Sequence, residues 1–257
     1  GTGGYSLGGQ ALTSIVDGEW YRPPDGLTLD YMDNLDGYSF NRLLTQSNRG
    51  RTAYLVVSKS GSTVETLSQF LTALSAVRET MGEKNLQYHF VLITEPGDNP
   101  MRRIAEKYNI QVLDPATDIG GRFSALSLAG LLPALLAGLD ASAVRQGAVA
   151  VIDGLLRDGL QSPVALGARS LVGHERRGIA VQVVMPYADR LGALARWWSQ
   201  IWGESLGKDG KGSTPFAATG VTDQHSQLQL WCDGPKRHMV TVLGVAPDGV
   251  GDRKSVV

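Results

Sequence analysis

The sequence has a single cysteine, almost no net charge and no long apolar run, and each of these excludes a class of protein. Because Cys232 is alone, an internal disulfide framework and a cysteine-cluster zinc site are both excluded. The formal net charge is -1, from 24 basic and 25 acidic residues, so we expect no binding to nucleic acid or membrane through bulk charge. The longest apolar run, residues 125–139, is too short and too broken to span a bilayer. No secretion signal is visible, so we expect a cytoplasmic protein.

The 257 residues are enough for one large or two small domains, and apolar runs alternate with helical patterns along them. The predicted strands are 27–32, 52–57, 88–93, 110–113, 178–185 and 239–245. The predicted helices include 39–47, 64–80, 99–108 and the segment from 191 to 202, with a helical, alanine-rich stretch from 122 to 171. Strands that alternate with helices predict βαβ units and parallel sheets.

We expect two α/β domains, the first at 1–116 and the second at 178–251, joined by a helical connection at 117–177. A glycine-rich loop normally follows a buried strand, and none precedes the first residues, so we expect the first domain to lack its first strand. Residues 252–257 are what a widely used sequencing adapter encodes, and we interpret them as an artefact of that origin.

The most specific local motif is Ser58-Lys59-Ser60-Gly61-Ser62-Thr63, between a predicted buried strand and a predicted helix. Hydroxyl groups there meet the unpaired N–H groups of a helix N-terminus, an arrangement that binds phosphate, and Lys59 adds positive charge. Ligands of parallel sheets bind beyond the carboxyl ends of the strands, where this loop is expected to lie. The motif predicts a phosphate site, and the alternative is a hydroxyl-rich helix cap without a ligand.

Two further segments are rich in glycine. The loop from Gly3 to Gly8 lets backbone approach a ligand closely, although a plain tight turn has the same composition. Arg122 follows a glycine pair at the start of an apolar helix. It can direct a fixed positive charge at an anion or a developing oxyanion, and the alternative is a surface salt bridge.

Glu204 and His225 are the candidates for proton transfer. Gln200 and Glu204 are four residues apart on one predicted helix, off its apolar stripe, so both can face one cleft. We expect nearby apolar side chains to desolvate Glu204 in part, which suits a general base. Thr222 is the predicted N-cap of a helix that holds His225 in its first turn, where the dipole favours the neutral imidazole. The alternatives are a solvated helix end for Glu204 and a structural role for His225.

Taken together and in this order, these motifs resemble those of the glucose-6-phosphate isomerase family, also called phosphoglucose isomerase. The five matching segments are Gly1–Gly4, Ser58–Thr66, Gly120–Ser124, Gly203–Gly212 and Asp223–Ser226. The resemblance extends to about residue 249 and implies two sugar-isomerase (SIS) domains, each with three α/β/α layers around a parallel sheet, the second incomplete. It also implies an aldose–ketose isomerase that interconverts glucose 6-phosphate and fructose 6-phosphate through a cis-enediolate in glycolysis and gluconeogenesis.

The resemblance implies a role for each candidate residue. The implied phosphate-binding residues are Ser58, Lys59, Ser60, Gly61, Ser62 and Thr63, and the implied sugar-contacting residues are Gly4, Tyr5 and Gln200. Glu204 matches the base, Arg122 the residue that stabilises the enediolate, and His225 the histidine that opens the sugar ring. In this family the partner subunit of a homodimer supplies that histidine. Neither a metal nor a redox cofactor is implied.

Two features depart from the family pattern, and two other functions stay open. Tyr5 stands where the family usually has serine and would crowd the sugar, unless Ser6 takes that role. The family also uses a lysine near its C-terminus that this sequence does not reach, so we expect the 257 residues alone to be inactive. The alternatives are an SIS-type isomerase of mannose or amino-sugar phosphates and a non-catalytic SIS regulator that binds sugar phosphate. Glu204 together with His225 favours an enzyme over a regulator.

Overall fold

The computed structural model describes residues 1–17 and 27–245, which form two compact units. Of these residues, the first unit holds 1–13 and 27–145, and the second holds 14–17 and 146–245. Each unit contains a three-stranded parallel sheet, which confirms the predicted α/β class. The domain limits at 116 and 177 stay a prediction, and the interpreted artefact at 252–257 lies outside the described residues. No described helix is both long and apolar enough to cross a membrane.

Most of the predicted helices and strands form, with some differences in their limits. The helices are α1 (Gly4–Asp17), α2 (Gly37–Gln46), α3 (Val64–Met81), α4 (Leu86–His89), α5 (Pro100–Tyr108), α6 (Leu128–Leu136), α7 (Ala141–Asp158), α8 (Pro163–Glu175), α9 (Gly192–Leu206) and α10 (Thr222–Asp233). The strands are β1 (Tyr54–Val57), β2 (Phe90–Ile93), β3 (Gln111–Leu113), β4 (Val181–Pro186), β5 (Thr214–Ala217) and β6 (His238–Leu243). Short 3-10 helices include Gly121–Leu126 and Asp189–Leu191.

Both faces of the first sheet are covered by helices. Its strand order is β1-β2-β3, and alternate side chains point to opposite faces. One face is packed by Val56, Phe90, Leu92, Phe70, Leu74, Val77 and Met101, with α3 and α5 supplying the helical members. The other face is packed by Val57, Ile93, Ala129, Tyr5, Leu128 and Leu132, with α1 and α6 supplying the helical members. The loops that follow the three strands therefore lie together at the carboxyl edge of a buried parallel sheet.

The second sheet has the strand order β5-β4-β6. Val183 and Met185 of β4 pack against Trp231 of α10 and against Ala218. Helix α9 packs against β4 and β5, and its Trp202 donates a hydrogen bond from Nε1 to the Ser213 carbonyl at 3.0 Å. Helix α9 is thus fixed to the start of β5 by a polar contact as well as by packing.

The structure differs from the sequence pattern in several elements. The glycine-rich segment predicted as a loop at residues 3–8 is helical from Gly4 on, as the start of α1. Residues 27–32 form no strand, and residues 88 and 89 belong to α4 rather than to β2. Thr222 is the first residue of α10 instead of its N-cap, which is Val221. The sequence pattern also does not predict the strand β5, which has Pro215 inside it.

Candidate functional site

The loop from Ser58 to Thr63 connects β1 to α3 at the carboxyl edge of the first sheet. The hydroxyls of Ser58 and Thr63 share a hydrogen bond at 2.9 Å. Ser62 donates to the Ser60 hydroxyl from its own Oγ at 2.9 Å and from its N–H at 3.3 Å. Because the Thr63 side chain bonds to Ser58, it does not cap α3. The N-terminus of α3 therefore presents backbone N–H groups beside several hydroxyls, which is an arrangement that can bind an oxyanion.

Gly61 is the one residue of this loop that has to be glycine. Its φ is +63°, and a Cβ would overlap the Asn99 side chain and lie 2.8 Å from the Thr94 hydroxyl. Asn99 cannot yield easily, because its Oδ1 caps α5 by accepting from the Arg102 N–H at 3.0 Å. The close approach thus holds the Ser58–Thr63 loop against the loop that follows β2.

We expect Gly61→Ala to destabilise the first unit by about 2 kcal/mol, through the left-handed backbone and the overlap with Asn99. The control is Gly147→Ala, at an α7 position where a Cβ meets nothing within 4 Å; there alanine is expected to stabilise the helix slightly. Urea unfolding of both variants measures the difference. Equal stability for the two variants would show that the loop can accept a side chain at residue 61.

A pocket of about 270 Å³ opens beside this loop. Its lining residues are Thr2, Tyr5, Val57, Ser58, Lys59, Ser60, Thr63, Thr66 and Glu95. Thr66 is 2% exposed, and its buried hydroxyl has no hydrogen-bond partner within the described ranges 1–17 and 27–245. A buried hydroxyl without a partner is costly, so its position on the pocket wall points to a ligand group that bonds to it. Sequence reasoning missed Thr66, although its spacing of three residues from Thr63 puts both on one helix face.

We expect Thr66→Val to weaken the binding of inorganic phosphate about 10-fold, the effect of losing one hydrogen bond to a charged group. Valine keeps the shape of threonine, so folding stays close to that of the unchanged protein. The matched control is Thr72→Val on the exposed side of α3, where the hydroxyl donates to the Ser68 carbonyl. Calorimetric titration with phosphate measures the three dissociation constants. An unchanged constant for Thr66→Val would remove this hydroxyl from the site.

The first turn of α1 lies directly against the segment that carries Arg122. A Cβ on Gly4 would overlap the Gly121 backbone, and the buried Ser124 hydroxyl donates to the Gly4 carbonyl at 3.2 Å. The ring of Tyr5 lies 3.3 Å from the point where Gly121 would carry a Cβ. The Arg122 guanidinium lies over the Phe123 ring, 4.5 Å from its centroid. Tyr5 thus contacts both the Arg122 segment and the pocket.

Tyr5 and Ser6 differ in what their hydroxyls face. Burial, reinforced by the charge of Glu95, raises the pKa of Tyr5 above its usual value. The Ser6 hydroxyl is buried, donates to Asp33 at 3.1 Å and accepts from Gln10 at 2.8 Å. Ser6 does not line the pocket, so the structure gives no support to Ser6 as a replacement for the family serine.

Lys59 also lines the pocket, but its ammonium is already engaged. It donates to the Thr117 and Ile119 carbonyls and pairs with Glu95. The phosphate contact predicted for its side chain stays a prediction.

The second unit holds the other three candidates. Gln200 and Glu204 share one face of α9, as predicted, and Gln200 donates from Nε2 to Glu204 Oε1 at 2.8 Å. Glu204 is exposed in this unit, so the prediction that apolar neighbours desolvate it is wrong here. His225 is exposed in the first turn of α10, and its N–H donates to the Val221 carbonyl at 3.1 Å.

The first unit has α/β architecture, with a hydroxyl-lined pocket at the carboxyl edge of its parallel strands. A family model described as phosphoglucose isomerase matches residues 1–237. The chain belongs to the phosphoglucose isomerase family. Across the described residues, we find no group of three or more histidine, cysteine, aspartate or glutamate side chains placed to hold a metal ion.

Known proteins agree with this assignment. The chain is 40% identical over 249 residues to the glucose-6-phosphate isomerase of Rubrobacter xylanophilus, covering 95% of this chain and 58% of that protein. It is 42% identical over 221 residues to a probable glucose-6-phosphate isomerase of Halobacterium salinarum, covering 84% and 50%. The crystal structure of a hypothetical protein from Thermus thermophilus superposes with a TM-score of 0.84 at 34% identity, covering 94% of this chain and 57% of that one. The structure of a glucose-6-phosphate isomerase from Chlamydia trachomatis gives 0.73 at 25% identity, covering 95% and 48%. The chain spans about half the length of the curated relatives that it matches.

Proposed function

We propose that the whole protein is an aldose–ketose isomerase that interconverts glucose 6-phosphate and fructose 6-phosphate in the cytoplasm, as a step of glycolysis and gluconeogenesis. The observation that carries this proposal is the pocket at the α3 N-terminus, in a chain of the phosphoglucose isomerase family. Its hydroxyls and uncapped helix N–H groups suit a phosphate group. The Rubrobacter relative is called a glucose-6-phosphate isomerase and the Halobacterium relative a probable one, which supports the same substrate here.

In this proposal the phosphate binds at the hydroxyls of Ser58, Ser60, Ser62, Thr63 and Thr66. Gly61, whose N–H donates to the Ser58 carbonyl at 3.2 Å, shapes the loop around it. Once it is held there, the sugar is fixed in one position, which removes much of the entropic cost of the reaction. Gly4, Tyr5 and Gln200 contact the sugar.

The reaction moves hydrogen within one molecule, so that C1 is reduced as C2 is oxidised and no external reductant is consumed. His225 helps to open the ring by passing a proton to the ring oxygen. Glu204 then takes the C2 proton and returns it to C1 through a cis-enediolate, and Arg122 stabilises the negative charge that develops. The hydrogen bond from Gln200 at 2.8 Å supports this role by orienting the Glu204 carboxylate.

We also propose that the active protein is a homodimer in which the partner subunit supplies His225. The exposure of His225 in its own unit supports this, since such a side chain is accessible to a second molecule. Size-exclusion chromatography with light scattering measures the oligomeric state of the whole protein.

The function is tested with the purified whole protein and a coupled assay that detects glucose 6-phosphate formed from fructose 6-phosphate. Mannose 6-phosphate and glucosamine 6-phosphate are assayed in parallel. Turnover of one of these in place of fructose 6-phosphate would reassign the substrate. Binding of sugar phosphate without any turnover, also in Tyr5→Ser, would identify a regulator instead of an enzyme.

A further inference from the structure

The ammonium group of Lys59 has a complete set of partners among protein groups. It donates to the Thr117 carbonyl at 2.7 Å and to the Ile119 carbonyl at 3.2 Å. It also pairs with Glu95 Oε1 at 3.2 Å. A lysine ammonium has three N–H donors, so these three acceptors account for all of them.

These partners join three loops of the first unit. Lys59 belongs to the loop after β1, Glu95 to the loop after β2, and residues 117 and 119 to the segment that leads from β3 to Arg122. The backbone of Lys59 is itself held, because its carbonyl accepts from the Glu95 N–H at 3.0 Å and from the Thr94 hydroxyl at 3.2 Å. Its side chain thus connects a fixed loop to the segment that ends at Arg122.

Charge gives a second reason for the pairing with Glu95. Both side chains are about 30% exposed and line the pocket. The charge of Glu95 is felt by Tyr5, which lines the same pocket and whose pKa it helps to raise. A carboxylate without a partner there would repel a phosphate group, and the ammonium of Lys59 offsets that repulsion.

We propose that Lys59 is a positioning residue, whose ammonium neutralises Glu95 and fastens the Thr117–Ile119 segment to the phosphate loop, and which makes no side-chain contact with the phosphate. The proposal rests on the proposed function only in that the pocket binds phosphate. In this proposal, hydroxyls and backbone N–H groups bind the phosphate. Lys59 holds the segment that leads to Arg122 in a fixed position relative to these groups.

The first experiment compares the unchanged protein with Lys59→Met, Glu95→Gln and the double variant, by calorimetric titration with inorganic phosphate. Lys59→Met is expected to bind about 10-fold more weakly, because Glu95 is left without its partner. The double variant is expected to bind within about twofold of the unchanged protein, since both charges of the pair are gone. If the double variant stays as weak as Lys59→Met, the ammonium binds phosphate directly and the proposal is wrong.

The second experiment measures how firmly the segment is held. Amide hydrogen exchange in residues 117–122 is expected to rise about 10-fold in Lys59→Met and in the double variant, while that of α3 stays unchanged. In the whole protein, the double variant is expected to lose about 10-fold in kcat at an unchanged inhibition constant for phosphate, because Arg122 is misplaced although the charge balance is restored. Unchanged exchange in residues 117–122 would overturn the fastening role.

The two experiments separate this proposal from the proposed function. If the unchanged protein bound no phosphate, the proposed function would fail. The role of Lys59 would then be decided by hydrogen exchange alone, where a rise in residues 117–122 supports it and no rise refutes it.

Discussion

Glu204→Gln in the whole protein is expected to lower the rate of isomerisation of fructose 6-phosphate by about 10³-fold, within the range that one general base contributes. The amide cannot take up the proton at C1 of fructose 6-phosphate, or the proton at C2 of glucose 6-phosphate in the reverse direction, so the step through the enediolate loses its acceptor. The substitution keeps the shape of the side chain. It also keeps an oxygen that can accept from Gln200, whose Nε2 lies 2.8 Å from Glu204 Oε1. The affinity for substrate is therefore expected to change little.

Two measurements test this prediction. The coupled assay gives kcat, and exchange of the C2 hydrogen of glucose 6-phosphate with deuterated water reports proton abstraction itself. Glu106→Gln, at an exposed glutamate of α5, is the control for the loss of one carboxylate and is expected to leave both rates unchanged. C2 exchange at the normal rate in Glu204→Gln would mean that another residue is the base.

The first sheet could be predicted because its strands are buried on both faces. Strands of that kind appear as short continuous apolar runs, such as 54–57 and 90–93, and the helices between them keep a 3.6-residue apolar period. The position of the Ser58–Thr63 loop was predictable for the same reason. A hydroxyl-rich segment that follows a buried parallel strand can only lie at the carboxyl edge of the sheet.

Residues 27–32 show how an alternating pattern can mislead. Leu27, Leu29 and Tyr31 alternate as they would in a strand, but no sheet neighbour pairs with the segment among the described residues. It packs on α1 instead, where the Thr13 hydroxyl donates to Tyr31 at 3.3 Å and Asp33 accepts from Gln10 at 2.7 Å. Alternation reports a half-buried extended segment, and only long-range pairing makes such a segment a strand.

The opposite error occurs at β5. Residues 214–217 contain a proline and too short an apolar run to suggest a strand. Among the described residues, β5 is an edge strand of its sheet. An edge strand has one side without a neighbouring strand, where the N–H that proline lacks would have no hydrogen-bond partner in the sheet.

The chemistry of the site was less predictable than its location. The partner of Lys59, Glu95, is 36 residues away along the chain, and no local pattern marks it. The buried state of the Thr66 hydroxyl likewise depends on how α3 sits on the sheet, which is a tertiary property. Sequence motifs marked part of the pocket lining, whereas Thr66, Glu95 and the direction of each polar group came from the fold.

The second large effect is expected at Arg122. In the whole protein, Arg122→Met is expected to lower kcat by about 10²- to 10³-fold, which is the usual loss when one electrostatic stabiliser of a developing oxyanion is removed. The phosphate loop is a separate segment, so the affinity for inorganic phosphate is expected to stay within about twofold. Arg122→Lys keeps the charge without the planar fork and is expected to recover part of the rate.

The fold gives the reason why this arginine, rather than another, has the effect. Gly4 and Gly121 pack so closely that a Cβ on Gly4 would overlap the Gly121 backbone, which fixes the start of the 3-10 helix beside α1. Arg103 is the matched control, because it is exposed on α5 and paired with Asp98 at 2.7 Å, and Arg103→Met is expected to leave kcat unchanged. A loss of substrate affinity at normal kcat in Arg122→Met would mean that the guanidinium binds the ground state. Its charge would then lower KM without contributing to the chemical step.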